Sequence, residues 1–145
     1  MRKSRSEQSR VYRGMDNKME ELNDHNACGV IAVAIAFDLE YREAFDEFEI
    51  VGRRKRYGVT AFQIELVASR LASRIGVTVK SVKHIDKLKE VMGVTPTINN
   101  ITRVLPKSGK YLIMTRNHVV ACKGGRVHDW SEGRKLQVTQ ILEII

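Results

Sequence analysis

The residues of this chain with the most chemical potential are its two cysteines, Cys28 and Cys122, and its four histidines, His25, His84, His118 and His128. A thiol becomes a good nucleophile when its pKa falls, and the N-terminus of a helix lowers it. Cys28 opens the run from Cys28 to Phe37, which is apolar on every side and rich in Ala. That pattern predicts a buried helix with Cys28 in its first turn and Asn26 as its N-cap. Gly29 leaves room for a substrate to approach, and the free N–H groups of a helix start can face an oxyanion. A cysteine in an Ala/Val helix is by default a small core residue, so the nucleophile reading needs a base. Cys122 lies inside an apolar strand and reads as structural.

His118 supplies the candidate base, since it opens an apolar strand just after the polar pair Arg116-Asn117. Its strand and the next flank Gly124-Gly125, and two glycines between strands suit a two-residue hairpin turn. That register pairs Lys123 with Arg126 and, carried back, His118 with Ser131. Asp129 then points to the same face as His118, and a carboxylate there holds the ring and favours the imidazolium. A three-residue loop would flip the parity and put His128 in that place instead. Trp130 is positioned to cover the pair from water. Asn23 and Asn26 precede Cys28, and either amide could donate to a developing oxyanion.

The elements that must position these groups form an α+β pattern. Residues 1–18 are polar and charged and read as a basic flexible arm, with order beginning near Met19 to Asn26. After the Cys28 helix, Tyr41, Phe45 and Phe48 give a helical stripe closed by Gly52. Thr60 caps a helix from Ala61 to about Ile75, ended by Gly76. Val77 to Val82 alternates as a short strand, and His84 to Met92 is weakly helical. Thr95-Pro96 looks like a helix start, with Pro96 at the first helical position and Pro106 as the stop. Four runs then read as strands of an antiparallel sheet: 110–115, 118–123, 126–130 and 136–144. Helices first and sheet last make an α+β domain over 19–145.

The chain has 145 residues, 43% hydrophobic and 29% charged, with a net charge of +8. Its pI is near 9.7. The excess charge sits in Arg2, Lys3, Arg5, Arg10 and Arg13, and in the run Arg53, Arg54, Lys55 and Arg56, a candidate basic docking surface for acidic partners or nucleic acid. No RNA-binding, zinc-finger or recognition-helix signature accompanies these runs. Two distant cysteines make no disulfide framework, residues 1–15 lack the apolar core of a signal peptide, and no apolar run reaches a membrane span. A cytoplasmic location follows as an expectation, with no membrane partner.

The stretch Asn26-Ala27-Cys28-Gly29-Val30, with Ala32, Ala34, Ala36, Tyr41 and Ala44, resembles the nucleophile segment of papain-like cysteine peptidases. It looks closest to small bacteriophage and bacterial proteins of that fold. Those have a basic stretch before a helix start, here Arg53 to Thr60. They end with segments like Gly109-Lys110-Tyr111-Leu112, His118-Val119-Val120-Ala121 and Val127-His128-Asp129-Trp130. The match runs from about Leu22 to Trp130. It implies a papain-like fold and a thiol hydrolase (thiol protease, isopeptidase or deamidase type) with a catalytic triad of Cys28 as nucleophile, His118 as base and Asp129 as orienting acid. It also implies a protein or peptide substrate, no bound cofactor, and a host cytoplasm if the chain is phage-encoded. The chain departs from the pattern at Leu22, where such enzymes place an oxyanion Gln.

Two other classes compete. His25-x-x-Cys28 with His118-x-x-x-Cys122 is a candidate zinc set, but an extended strand holds His118 and Cys122 about 13 Å apart, too far for one ion. The other is a non-catalytic basic module, binding nucleic acid or an acidic protein, on a papain-like frame. The edge of a terminal sheet leaves oligomerisation open.

Overall fold

The computed structural model describes residues 8–82 and 85–145. His84 and the basic residues Arg2, Lys3 and Arg5 lie outside the described residues. The fold is α+β, with helices and a five-stranded antiparallel sheet. In chain order come α1 (Arg10–Glu21), α2 (Cys28–Ala36), α3 (Tyr41–Ile50), α4 (Ala61–Ile75), β1 (Val79–Ser81), α5 (Ile85–Met92) and α6 (Ile98–Ile101). The last strands are β2 (Lys110–Thr115), β3 (Val119–Lys123), β4 (Arg126–Val127) and β5 (Val138–Ile144). The strand order across the sheet is β1-β5-β2-β3-β4.

Period-2 alternation divides the sheet's side chains between two cores. Leu112, Met114, Val119, Ala121 and Leu142 pack with α1–α4. Tyr111, Ile113, Val120, Cys122, Val138 and Ile141 pack on the opposite face with Ile98 and Ile101 of α6. Covering both faces explains why β2 and β3 read as continuous apolar runs. Helix α2 is the centre of the first core, since every residue from Gly29 to Ala36 is buried. Fully burying one Val or Ile contributes about 1.5–3 kcal/mol. Its apolar surround is therefore the main reason the helix sits against β3.

Several boundaries differ from the sequence expectation, each for a local reason. The expected arm over 1–18 is helical from Arg10, because Ser9 caps α1 by accepting from the Tyr12 N–H at 3.1 Å. Tyr12 is only 7% exposed, with Met15, Met19 and Leu22 along the same stripe. That stripe is apolar at helical spacing, but the surrounding charge hides it. The N-cap of α2 is Ala27 and not Asn26, which adopts a left-handed conformation (φ 54°) one residue earlier. Pro96 does not begin α6, because Thr97 caps it through a reciprocal pair of bonds with Asn100. The β3–β4 ladder pairs Lys123 with Arg126 and Cys122 with Val127 across Gly124-Gly125, the two-residue turn expected. It ends after His128, whose N–H reaches the Ala121 carbonyl at 2.9 Å. His118 and Ser131 are therefore not ladder partners, and Asp129 stands in the turn that follows.

Candidate active site

Three elements converge on one thiol. Cys28 stands at the first position of α2 and is half-buried. His118 ends the short turn between β2 and β3, closed where its carbonyl accepts from the Thr115 N–H at 2.8 Å. Asp129 follows β4 and is 4% exposed. His118 Nε2 donates to Asp129 Oδ2 at 2.7 Å. The same oxygen accepts from the Ser131 N–H at 2.8 Å and from the Ser131 hydroxyl at 2.5 Å. These bonds fix the carboxylate and leave His118 Nδ1 as the nitrogen for the thiol, which lies close enough to feel the imidazole's charge. The Val119 N–H also donates to the sulfur.

The electrostatics favour a thiolate–imidazolium pair. Burial pushes the Cys28 thiol up, but the hydrogen bond and positive charge of His118 and the Val119 N–H hold it below its ordinary value. Burial pulls His118 down, but bonds to Asp129 and Cys28 and their negative charges push it up to about 9. Trp130 shields the pair, its ring centroid 5.0 Å from that of His118. The Arg134 guanidinium sits 5.7 Å from the Trp130 centroid on the indole ring.

Two cavities meet at the thiol. One, of about 280 Å³, is lined by Val59, Ala61, Ile64 and Met114 with Arg116 at its edge. The other, of about 270 Å³, is lined by Tyr12, Asp16, Met19, Asn26 and Trp130. Cys28, Asn117 and His118 border both. A chain-like substrate can therefore cross the sulfur with groups on each side.

The remaining expected site residues are placed differently. Asn26 borders the second cavity, but one of its amide hydrogens already goes to the Arg56 carbonyl at 3.2 Å. Asn23 borders neither cavity, and its carbonyl accepts from Arg56 Nε at 3.0 Å. The basic run is not one surface. Arg53 is 5% exposed and bonds Asp24 through both terminal nitrogens, at 2.9 and 3.0 Å. Only Arg54, Lys55 and Arg56 are exposed. The cause is desolvation: an Arg beside a buried carboxylate is drawn into the pair and leaves the surface.

Cys122 packs in the core on the far face of the sheet from Cys28, so the two thiols cannot share a metal through β3. Among the described residues no group of three or more His, Cys, Asp or Glu could hold a metal ion. No described helix is long and apolar enough to cross a membrane. Sequence reasoning missed Ser131, Asn117 and the Val119 N–H. Ser131 had a signal, a hydroxyl two residues after a turn aspartate, which is the spacing of local side chain–backbone turns. A backbone N–H has none.

No family model matches the chain, and no curated protein and no solved structure matches it.

Proposed function

We propose that this chain is a papain-like cysteine hydrolase acting on a peptide, isopeptide or side-chain amide bond through a Cys28–His118–Asp129 triad. The observation that carries the reading is the meeting of the half-buried thiol and His118 at the same two cavities, with His118 bonded behind to Asp129 at 2.7 Å. A nucleophile helix packed against the strand that follows the base supports the papain-like frame. Cys28 attacks the carbonyl carbon, and the electron pair moves to the oxygen. His118 gives its proton to the leaving amine as the tetrahedral intermediate collapses to a thioester. Water, deprotonated by His118, then releases the acid and frees the thiol. N–H groups at the uncapped start of α2 and the second amide hydrogen of Asn26 are the candidate oxyanion donors.

The cavity of Val59, Ile64 and Met114 favours an apolar group beside the scissile bond, and Arg116 on its lining favours an acidic group near it. A free thiol pair and this chemistry suit a reducing compartment, the cytoplasm. The competing reading, a basic binding module without catalysis, loses support from the burial of Arg53.

The test is alkylation of Cys28 by iodoacetamide at pH 6, followed by mass spectrometry of its peptide. The wild-type protein reacts faster than a simple thiol, and His118→Ala brings the rate back to that level. A wild-type rate equal to that of glutathione under the same conditions ends the hydrolase reading.

A further inference from the structure

The loop that enters the nucleophile helix is held by groups outside the triad. Ala27, the N-cap of α2, provides no side-chain bond, so nothing local fixes the direction in which the chain enters the helix. The hold comes from Asp24. Its carboxylate accepts from the His25 N–H at 2.9 Å and the Arg56 N–H at 2.7 Å. It also accepts from the Tyr41 hydroxyl at 2.6 Å and from Arg53 at 2.9 and 3.0 Å. Arg53 in turn donates to the His25 carbonyl at 3.2 Å and to the Tyr57 carbonyl at 2.7 Å. Both backbone groups of His25, three residues before the nucleophile, are thereby fixed.

The grip continues to the thiol itself. Asn26 donates to the Arg56 carbonyl, and Val59 packs so tightly on Gly29 that a Cβ there would collide with it. Segments 23–29 and 53–59 form one clamped unit. Three of the four described non-glycine residues with positive φ lie in it: Asn23 at 55°, Asn26 at 54° and Arg56 at 73°. Such conformations cost energy and persist only where the surroundings over-determine them.

We propose that Asp24 and Arg53 are positioning residues for Cys28, their buried ion pair clamping the entry of α2 so that the sulfur faces His118 and the Val119 N–H. The proposal rests on the reading of Cys28 as nucleophile. The basic run supplies this clamp with its first arginine and leaves only its remainder to solvent. A bidentate guanidinium is needed, because a lysine carries the charge without the fork that holds Asp24 and the His25 carbonyl together.

The experiment measures the iodoacetamide rate at Cys28 at pH 6 and pH 9, together with the melting temperature, in four proteins. They are wild type, Arg53→Lys, Tyr41→Phe and, as control, Glu47→Gln. Glu47 is a buried carboxylate paired with Arg70 and Arg74, away from the thiol. Arg53→Lys lowers the ratio of the pH 6 to the pH 9 rate, by up to about tenfold for each unit by which the thiol pKa rises. Tyr41→Phe, the milder change, lowers it by less and carries the test alone if Arg53→Lys does not fold. Glu47→Gln lowers the melting temperature but leaves the ratio at the wild-type value. A wild-type ratio in both clamp variants, or an equal fall in Glu47→Gln, overturns the positioning role and leaves the nucleophile standing. A wild-type ratio equal to that of a simple thiol removes the nucleophile reading, and the clamp's role with it.

Discussion

The hairpin of β3 and β4 offers the same two side-chain types in two settings. At its mouth His118 meets Cys28, while further along it His128 and Cys122 lie within the packed structure. His118 is pushed up to about 9 by Asp129 and the sulfur, despite burial. Burial lowers His128, and the neighbouring charges of Arg126 and Lys123 lower it further, outweighing its bond to the Lys123 carbonyl. His128 Nε2 faces that carbonyl at 3.2 Å, which can only accept, so Nε2 carries the hydrogen and Nδ1 accepts from the Ser9 hydroxyl at 2.9 Å. The thiols divide in the same way. Burial raises both, but only Cys28 has a cation and an N–H to reverse the effect, and Cys122 stays high at about 11. Burial alone thus makes these groups inert; a carboxylate behind the imidazole makes them a charged pair.

The sharpest way to break that contrast is at the thiol. Cys28→Ser abolishes turnover, while Cys122→Ser leaves turnover within about twofold and lowers stability by ~1–2 kcal/mol, the cost of a poorly paired buried hydroxyl. Turnover and urea melts check both. An active Cys28→Ser protein, or an inactive but folded Cys122→Ser protein, would reverse the assignments.

Removing the carboxylate comes next. Asp129→Asn lowers turnover by about 10²–10⁴-fold, the range for losing the group that orients a catalytic base. The pH profile tells the same story. The pair is charged above the depressed value of Cys28 and below about 9 for His118, so activity falls at both ends, with the alkaline limb near 9. Asp129→Asn should bring that limb down toward the ordinary histidine range of about 6.5. An unmoved limb would mean that Asp129 does not set it. For stability the sign runs the same way. A raised His118 contributes fully below about 6.5, the unfolded value, and the contribution is lost as pH rises through about 9. Asp24 is depressed: burial raises it, and bonds from Arg53, Tyr41 and Arg56 more than offset this. Its contribution is present above about 3.9 and lost as pH falls through its folded value.

Smaller effects sharpen the comparison at its edges. Gly29→Ala forces Val59 to move and costs about 1–3 kcal/mol of stability by overpacking, read in thermal melts. His128→Gln costs about 1 kcal/mol for a lost hydrogen bond and leaves the pH profile in place. A shifted profile would tie His128 to the chemistry.

Much of the scaffold was legible because its signals are short-range. Thr60 and Gly76 bound α4 as expected, since capping needs only a hydroxyl three residues from an N–H and a residue free to take positive φ. Gly124-Gly125 set the turn length and the pairing of Lys123 with Arg126, but the ladder stops before Asp129, and it is the turn after β4, held by Ser131, that puts Asp129 beside His118. Helix α1 was missed although its apolar stripe was present, because charge dominated the count. Arg53 was misplaced because nothing in a run of four cations says which one pairs inward.

By itself the sequence determined the helix that begins at Cys28, the approximate strands of the C-terminal sheet and the two-residue turn that joins β3 to β4. Those follow from hydrogen bonds and periodicities that span a few residues. Only the tertiary structure decided that Cys28 faces His118, that Asp24 draws Arg53 out of solvent and that α1 walls the second cavity. These depend on which surfaces exclude water from one another, and desolvation is a property of the packed whole.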